Sequence, residues 1–350
     1  MNSEPVVITD TGMVSSVGIT ARQTTASLFA GVNRQCTMPE LYVCKAEDPE
    51  FEDGTALVAA PLSYLDSYRG KNRDPARWIA LIGSLGFSDL MDNSGYNDER
   101  FAETGLFLSL PPLLKGACND TESGFIYHFH NRIEKDIFPF EIYTFEGHTG
   151  VFRMIDEARA ALAENIISCA IVGGVESCLF PEWLERLDDD YRIKSTKNID
   201  GYVPGEMAAF LIMEKHSPGA VKRKHPYIIE GSASTVASGL QSVLSELLTD
   251  TDNPPIVFGD LNGESKRMEE WGYARTGLGQ RLGDPVRLEH PADALGDMGA
   301  ASGAVLIAIA MDCLRCNQDL RQNALIFTAS DGGERRAIKL ARISKPESPS

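Results

Sequence analysis

The chain has 350 residues, of which 43% are hydrophobic and 24% charged, as in a globular protein large enough for two domains or one two-halved one. Its 50 acidic residues outnumber 33 basic ones, and the resulting net charge of −17 disfavours nucleic acid and anionic membranes as partners. Seven scattered cysteines favour a reducing cytoplasm over a disulfide framework. The start, MNSEPVVITD, lacks the basic region of a signal peptide, and the longest apolar run, Ala304–Met311, is too short to span a bilayer.

Apolar runs and helical periodicity predict the elements of the first part of the chain. These are a strand at Pro5–Thr9, helices at Thr20–Ala30 and Asp74–Leu90, and a strand at Gly105–Leu110. Asp74 is the expected N-cap of its helix because Pro75 follows at the first helical position. Residues 32–60 are acidic and rich in turn formers, so they are expected to be irregular. Residues 111–139 are expected to be a loop insertion with short helices.

The stretch from Phe140 to Ser177 is the most informative. An apolar strand, Phe140–Phe145, ends at the sequence EGHTG, where two glycines allow a sharp turn. Apolar residues then recur at helical spacing from Val151 to Leu162, and a second strand follows at Ser168–Val172. Strand, turn, helix and strand form a βαβ unit with a parallel sheet, so functional groups are expected at the turn between the first strand and the helix.

The later part of the chain repeats this order after a basic, breaker-rich segment at Lys215–Lys224. The elements predicted around it are a helix at Pro181–Asp190, a loop at Asn198–Gly205, strands at Ala208–Met213, Tyr227–Gly231, Ile256–Phe258, Val286–Glu289 and Leu325–Thr328, and helices at Gln241–Leu248, Ser265–Tyr273 and Ala304–Leu314. The repeated order predicts an internal duplication, with one half at 1–217, carrying the insertion 111–139, and another at 225–345. Each half is expected to be an α/β layer structure in which sheets sandwich Ala-rich buried helices.

Six motifs occur in an order that is informative as a set. They are VVITDTGMV at Val6–Val14, the helix end at Leu28–Gly31, AIVGGVES at Ala170–Ser177, DGYVPGE at Asp200–Glu206, GAASGA at Gly299–Ala304, and Asp331-Gly332-Gly333. Together they resemble the thiolase-fold condensing enzymes, specifically the β-ketoacyl-acyl-carrier-protein synthases, over most of the chain. The resemblance implies the five-layer αβαβα thiolase fold, usually as a homodimer, and decarboxylative Claisen condensation of acyl thioesters. That chemistry requires an activated cysteine at a helix N-terminus and two groups, His/His or His/Asn, that act on the thioester.

The chain departs from this family at the positions that carry the chemistry. Counted back from Gly173-Gly174 without gaps, the cysteine position falls on His148, and a one-residue slip gives Gly147, so neither alignment places a thiol there. Asn262 stands where the family has its first histidine, and Asp297 follows a glycine where the family has a Gly-His pair. The sequence therefore predicts a divergent member without catalytic residues, whose vestigial pocket holds His148, Asn262 and Asp297, and with no cofactor or metal.

His148 and Asp297 each have more than one interpretation. The simplest places His148 in the turn with a local hydrogen bond, and Asp297 as a carboxylate favoured by a helix N-terminus. The alternative pairs the two side chains across one cavity, where an Asp-oriented imidazole acts as a base.

A nucleophile or metal ligand elsewhere in the chain is disfavoured. Cys118 lies in a loop without a neighbouring base, and Cys169 lies in a strand expected to be buried, where a free cysteine behaves as a small hydrophobe. Two pairs with ligand-like spacing lack the additional ligands of a metal site, namely Cys313 with Cys316, and His128 with His130, which would share one face of a strand.

Three functional hypotheses remain open. The first is a non-catalytic, cytoplasmic bacterial scaffold, partner subunit or accessory protein. The chain also resembles thiolase-like proteins without a nucleophile that are linked to type VI secretion, and this resemblance implies an accessory role in effector loading. The second is an acyltransferase or 3-oxoacyl synthase-like enzyme with an unconventional site at His148, Asn262 and Asp297. The third is a module that binds an acyl or CoA-type ligand.

The partner expected from the resemblance is a second copy or a related thiolase-fold subunit. Docking of an acidic carrier protein is disfavoured by the charge of −17, although Arg132, Lys135 and Arg153 are local basic candidates.

Overall fold

The architecture is given by a computed structural model that describes residues 5–43, 55–68, 74–96, 98–115, 121–134, 138–195, 198–216, 227–248, 253–316 and 321–343. The strands within these ranges are β1 (Val6–Val14), β2 (Cys36–Val43), β3 (Thr55–Ala59), β4 (Thr104–Ser109), β5 (Phe140–Thr144), β6 (Cys169–Ser177), β7 (Glu206–Lys215), β8 (Tyr227–Thr235), β9 (Ile256–Gly259), β10 (Leu288–Glu289), β11 (Asn323–Ala329) and β12 (Arg335–Arg342). The helices are α1 (Ala21–Phe29), α2 (Pro75–Ser94), α3 (Asp98–Phe101), α4 (Thr121–Ile133), α5 (Gly150–Ala163), α6 (Pro181–Asp189), α7 (Gly239–Leu247), α8 (Ser265–Leu278), α9 (Ala292–Leu295) and α10 (Ser302–Cys316).

Two sets of five strands repeat one topology, which confirms the predicted internal duplication. The first set has the order β5-β4-β6-β7-β1 and the second β10-β9-β11-β12-β8. In each set the first three strands are parallel and the last two join antiparallel. The predicted βαβ unit is present as β5, α5 and β6, although β4 lies between its two strands. The sets meet where β1 and β8 pair at Val7 with Ile228 and Ile8 with Tyr227, giving one ten-stranded sheet.

The helices form three layers around the two halves of this sheet, so the expected αβαβα order is confirmed. Apolar residues of α2 and α4 cover the outer face of the first set, and those of α7 and α8 cover the outer face of the second. Between the two sets lie α5 and α10, whose side chains share one core with residues of both sets, such as Val172 and Ile326. Burial of this shared apolar core is the main stabilising contribution to the fold.

Helix α10 has the hydropathy of a membrane-spanning segment but is a core helix of the protein. The segment Gly299–Cys316 is long and apolar enough to cross a membrane by length and composition, but 89% of it is buried inside the protein. Every residue from Ser302 to Leu314 is buried, because the helix is packed between two sheets and has no solvent-facing side. A central core helix of this kind has no polar face to interrupt its hydropathy.

Helix α2 follows its prediction closely. Asp74 caps it by accepting a hydrogen bond from the backbone amide of Ala76 at 3.0 Å, and Pro75 occupies the first turn. The helix ends at Gly95, whose φ of +57° is the left-handed conformation that favours glycine. It continues one turn beyond the predicted end at Leu90.

The prediction that residues 32–60 are irregular is wrong. β2 and β3 form an antiparallel pair in this range, and Met38 and Leu57 from them are buried against Leu179 and Leu184. Burial of these few apolar side chains outweighs the poor strand propensity of an acidic segment that contains Pro39. Residues 44–54, between the two strands, lie outside the described ranges.

Three further expectations need correction or fall outside the described residues. Within 111–139, residues 121–133 form α4, a helix of 13 residues, so His128 and His130 lie on a helix and not on a strand. The strand predicted at Val286–Glu289 is limited to β10. Residues 217–226 are not described, so the halves 1–217 and 225–345 remain a prediction.

Candidate functional site

The turn before α5 brings His148 to the boundary between the two halves. Residues 147–149 form one 3₁₀ turn that leads into α5, and Gly147 has a φ of +64°. Residues 299–301 form the matching 3₁₀ turn before α10. The second turn lies directly against β6, because Gly174 there has no side chain and a Cβ would lie 2.3 Å from the carbonyl oxygen of Ala300. The two turns also contact each other, so the boundary is closely packed.

His148, Asn262 and Asp297 are brought together at this boundary. His148 Nε2 lies 3.0 Å from Asp297 Oδ1, and both side chains are buried, with exposed fractions of 9% and 6%. Asn262, in the loop between β9 and α8, donates from Nδ2 to the same Asp297 oxygen at 2.7 Å. The partner of His148 is thus a residue of the other half and not a local group of its own turn.

The charges of this pair are set by its partners. Burial acts to lower the pKa of His148, but the Asp297 carboxylate raises that pKa above its ordinary value. Burial likewise acts to raise the pKa of Asp297, but the imidazole of His148, the guanidinium of Arg267 and the amide of Asn262 bring it well below its usual range. The pair therefore favours an imidazolium beside a carboxylate. Both ring nitrogens of an imidazolium carry protons, so His148 in its protonated form has no lone pair for use as a base or nucleophile.

Two further buried carboxyl groups adjoin the pair. Glu176, the acidic residue of the AIVGGVES motif, accepts a hydrogen bond from the backbone amide of Ala300 at 2.7 Å. Burial raises the pKa of Glu176 to about 7, against the opposing effect of that amide. Burial also raises the pKa of Asp260, which accepts hydrogen bonds from the amide of Ala329 at 2.9 Å and from Arg267 Nη1 at 3.1 Å. The site therefore holds three buried acids, Asp297, Glu176 and Asp260, beside the donors His148, Asn262 and Arg267.

Neither of the two described thiols at the ends of β6 is activated. Cys178 directly follows β6, and burial raises its pKa well above the ordinary value, with Glu176 and Asp297 adding to the effect. Burial raises the pKa of Cys169, within β6, to about 11. Both remain protonated thiols at neutral pH, whereas a nucleophilic cysteine needs a depressed pKa. Cys118 lies outside the described residues.

The two pairs with ligand-like spacing, Cys313 with Cys316 and His128 with His130, do not form a metal site in the described part of the chain. No group of three or more His, Cys, Asp or Glu side chains suited to a metal ion occurs there. Cys313 is buried and Cys316 exposed at the end of α10. His130 lies 3.3 Å from Glu141 Oε1 and His128 lies 3.8 Å from Asp74 Oδ2, so the two histidines face different carboxylates.

The basic candidates for carrier-protein docking give a mixed result. Arg153 forms ion pairs with Glu146 and Glu157, so its charge is balanced locally. Arg132 lies in the last turn of α4. Lys135 lies outside the described residues.

Comparison with known proteins shows the fold. No protein-family model matches the chain, and no curated protein does. Among solved structures, the ketosynthase from module 6 of the bacillaene synthase of Bacillus subtilis 168 matches with a TM-score of 0.75 and 14% identity, over 97% of this chain and 72% of that one. The ishigamide ketosynthase/chain length factor matches with a TM-score of 0.71 and 14% identity, over 97% and 100% of the two chains.

A third match comes from a type II PKS acyl-carrier protein in complex with its ketosynthase bound to the hexaketide. Its TM-score is 0.74 and its identity 13%, over 98% of this chain and 100% of the other. At such identities the similarity is one of architecture. The chain has the thiolase fold found in ketosynthase domains of polyketide synthases.

Proposed function

We propose that the chain is a non-catalytic ketosynthase-like protein that acts as a scaffold or partner subunit. One observation carries this proposal, namely the buried contact between His148 and Asp297 at the tip of α5. Condensing enzymes of this fold need a thiolate at that helix tip to hold the acyl group. In this chain the residue expected at that position is His148, whose ring is hydrogen-bonded to the Asp297 carboxylate.

The electrostatics of the site support the absence of condensation. The transition state for acyl transfer develops negative charge on the thioester oxygen, and loss of one hydrogen-bond donor to such an oxygen typically costs about 10²–10³-fold in rate. Asp297 places a carboxylate at the position of the family's second histidine, and Glu176 and Asp260 add two further buried acids. These groups disfavour an enolate or oxyanion in the same space.

The free edge of the sheet supports a partner role. β5 is the terminal strand of the first set and pairs with β4 on one side, with no strand on its other side among the described residues. Phe140, Ile142 and Tyr143 on it are only half-buried. An unprotected edge strand with apolar side chains favours pairing with another chain. One similar solved structure is named a ketosynthase/chain length factor, so a second thiolase-fold subunit is a suitable partner.

Intact-mass measurement tests the lack of catalysis. The protein is incubated with a panel of acyl-CoA thioesters at pH 7, and we expect its mass to remain unchanged. A covalent acyl adduct that disappears in His148→Ala would overturn the proposal. An adduct that persists in this variant would locate a nucleophile elsewhere in the chain and overturn it equally.

Light scattering after gel filtration tests the partner role. We expect a dimer of the chain with itself, or with a related subunit when the two are produced together. Ile142→Arg on β5 should dissociate that dimer, whereas Ile166→Arg, at an exposed position outside β5, should leave it intact. A monomeric wild-type protein that also fails to bind a related subunit would contradict this role.

The hydrogen bond between His148 and Asp297 favours one alternative, an acyl-transferring enzyme in which Asp297 orients His148 as a base. A base must be neutral, and the pKa of His148 is raised, so this activity should increase with pH. Release of free CoA from acyl-CoA at pH 9 but not at pH 6, abolished by Asp297→Ala, would favour this enzyme.

A shift of the melting temperature by CoA derivatives without turnover would instead favour a ligand-binding module.

A further inference from the structure

A pocket of about 370 Å³ lies between the end of α1 in the first half and the segment from β10 to α9 in the second. This α1–β10 pocket is separate from the candidate site, since none of His148, Asn262 and Asp297 lines it. Its volume is within the range of pockets that bind small molecules. The class of ligand follows from its floor, its wall and its charge.

The floor of the pocket is apolar. Leu28 and Val32, at the end of α1, pack against the central core, and Ile309 on α10 belongs to that core. Phe29 also lines the pocket, and 50% of its surface is exposed to solvent. Each CH₂ group of a ligand that such a surface removes from water strengthens binding by about fourfold. The floor therefore favours a ligand with an aliphatic chain or ring.

The wall of the pocket is fixed by hydrogen bonds between the two halves. Asn33 Nδ2 and Gln35 Nε2, both in the loop after α1, donate to the backbone carbonyl oxygen of Asp293 at 3.0 Å each. The loop is itself held in place because the backbone amide of Gln35 donates to Asn33 Oδ1 at 2.8 Å. A pocket that is formed before its ligand arrives avoids part of the ordering cost of binding.

The charges around the pocket are negative. Glu289 and Asp293 line it, and no Lys or Arg does so among the described residues. Glu289 is balanced by Arg287 outside the wall, with an Oε1–Nε distance of 3.0 Å. Asp293 pairs instead with His290 Nδ1 at 3.1 Å, and a histidine ring carries charge only when it is protonated. The negative end of the α1 dipole, which has no basic residue in its last turn, adds to this potential.

Three other pockets in the described part of the chain differ in this respect. Each has a carboxylate paired with an arginine of its own wall, namely Asp331 with Arg192 at 2.7 Å beside the buried His148–Asp297 pair, Asp156 with Arg159 at 3.9 Å, and Asp312 with Arg315. The α1–β10 pocket therefore combines an apolar floor with a carboxylate, that of Asp293, that no arginine or lysine of the wall balances.

We propose that the α1–β10 pocket binds a small organic cation, in which an ammonium or guanidinium group is carried on an aliphatic chain or ring. The apolar part of this ligand lies on Leu28, Val32 and Ile309, and its charged group lies at the rim beside Asp293. The site shares no residue with the His148–Asp297 pair, so it does not rest on the proposed lack of catalysis.

Matched ligands test this chemistry. Hexylammonium, 1-hexanol and hexanoate have one aliphatic chain in common and differ in charge, and their binding is measured by NMR titration at pH 7 and low salt. We expect hexylammonium to bind with a dissociation constant on the order of 1 mM, about threefold more tightly than hexanol, and hexanoate to bind most weakly. Propylammonium lacks three CH₂ groups and should bind about fivefold or more weakly than hexylammonium.

Charge-removing variants test the role of Asp293. Asp293→Asn should weaken hexylammonium binding about threefold and remove its advantage over hexanol, because the ion pair with the ligand is lost. The side chain of Asp293 is 76% exposed, so this variant keeps the fold. Asp190→Asn removes an exposed acid from the pocket beside the buried pair, and it should leave the dissociation constant unchanged.

Histidine ring resonances report where the ligand binds. The chain has six histidines, and His290→Gln identifies the signal of the one that lines the α1–β10 pocket. Hexylammonium should shift the His290 signal, whereas the signal of His128, which lies on α4, should not respond.

The proposal is overturned if hexylammonium at about 10 mM leaves the His290 signal unchanged, or if it shifts the His148 signal instead. Equal binding of hexylammonium and hexanol, or of hexylammonium and propylammonium, would also overturn it, because one half of the ligand would then contribute nothing. If Asp293→Asn and Asp190→Asn weaken binding equally, attraction by the net charge of −17 accounts for the binding and the pocket does not. The readout is ligand binding, so its failure is distinguishable from a failure of the proposed scaffold or partner role.

Discussion

Replacement of Asp297 by asparagine tests the electrostatic description of the site most directly. Asp297→Asn keeps the shape and the hydrogen-bonding oxygen but removes the charge that raises the pKa of His148. A hydrogen bond to a charged group contributes about 1.5–3 kcal/mol to stability. Part of this is offset, because Asp297 also repels Glu176 and Asp260 and raises the pKa of both carboxyl groups. We expect a net loss of about 2 kcal/mol at pH 6.

The loss can be expressed as a melting temperature. An unfolding entropy of about 2.1 cal/mol/K per residue gives about 0.7 kcal/mol/K for a chain of this length, so about 2 kcal/mol lowers Tm by about 3 °C. An exposed His–Asp pair elsewhere in the chain serves as control. His290 and Asp293 lie 3.1 Å apart but are exposed by 36% and 76%. Asp293→Asn should therefore change Tm by less than about 1 °C.

The pH dependence distinguishes this electrostatic effect from a packing defect. The pKa of His148 is raised in the folded protein, so the stabilisation is fully present below the ordinary histidine value of 6.5 and declines as pH rises through the raised value. The pKa of Asp297 is lowered, so on the acid side its contribution is present above the ordinary value of 3.8 and is lost as pH falls towards the lowered value. The Tm difference between wild type and Asp297→Asn should therefore be largest at pH 6 and smaller at pH 9.

Calorimetric scans at both pH values, with an NMR titration of the His148 ring, provide the measurement. In Asp297→Asn the pKa of His148 should fall below that of the wild type, because the Asp297 carboxylate, the largest effect that opposes burial, is removed. A Tm difference that is the same at pH 6 and pH 9, or an unchanged His148 pKa, would refute the assignment of an imidazolium–carboxylate pair.

Three other predictions concern neighbouring residues. Burial raises the pKa of Glu176 from 4.5 to about 7, so its ionisation destabilises the fold as pH rises through this interval. In urea denaturation, the free energy of unfolding of Glu176→Gln should therefore increase relative to the wild type by about 3 kcal/mol at most between pH 5 and pH 8. An increase independent of pH would contradict the raised pKa. Gly174→Ala should lower Tm by several degrees because its Cβ would meet a backbone carbonyl at 2.3 Å, while Gly272→Ala, with open space around it on α8, should raise Tm slightly. Similar shifts for both variants would be evidence against the close approach of β6 to the turn before α10. A cysteine introduced by His148→Cys should react slowly with iodoacetamide at pH 7, because Asp297 raises the pKa of its thiol. Asp297→His in the same background should accelerate the reaction at least tenfold. If the rate does not increase, Asp297 does not control the pKa of the thiol.

Much of the architecture could be predicted because its signals are local. The spacing of apolar residues between Val151 and Leu162 defined α5, and Asp74 with Pro75 defined the start of α2. Helix α4 was obscured by the mixture of glycine and aromatic residues around it, although Phe125 and Phe129 have helical spacing and could have revealed it. Propensity alone did not predict β2 and β3, because these strands are stabilised by contacts with residues far along the chain.

The site could be predicted only in part. The positions of His148, Asn262 and Asp297 follow from motifs that share an order with a known fold. The contact between Arg192 and Asp331 joins residues 139 positions apart with no motif linking them, so nothing in the sequence indicated it. The burial of Glu176, which sets its pKa, likewise depends on the close approach of two halves and not on its own neighbours.

The shared central layer has a consequence for biosynthesis. Strand β7 completes the first set at Lys215, but α10, which covers part of the inner face of that set, ends at Cys316. A ribosome adds about 5–20 residues per second, so this apolar surface stays uncovered for about 5–20 s after β7 has been made. Because exposed apolar surface of this kind promotes aggregation, a polypeptide that stops at residue 216 should aggregate where the full chain stays in solution.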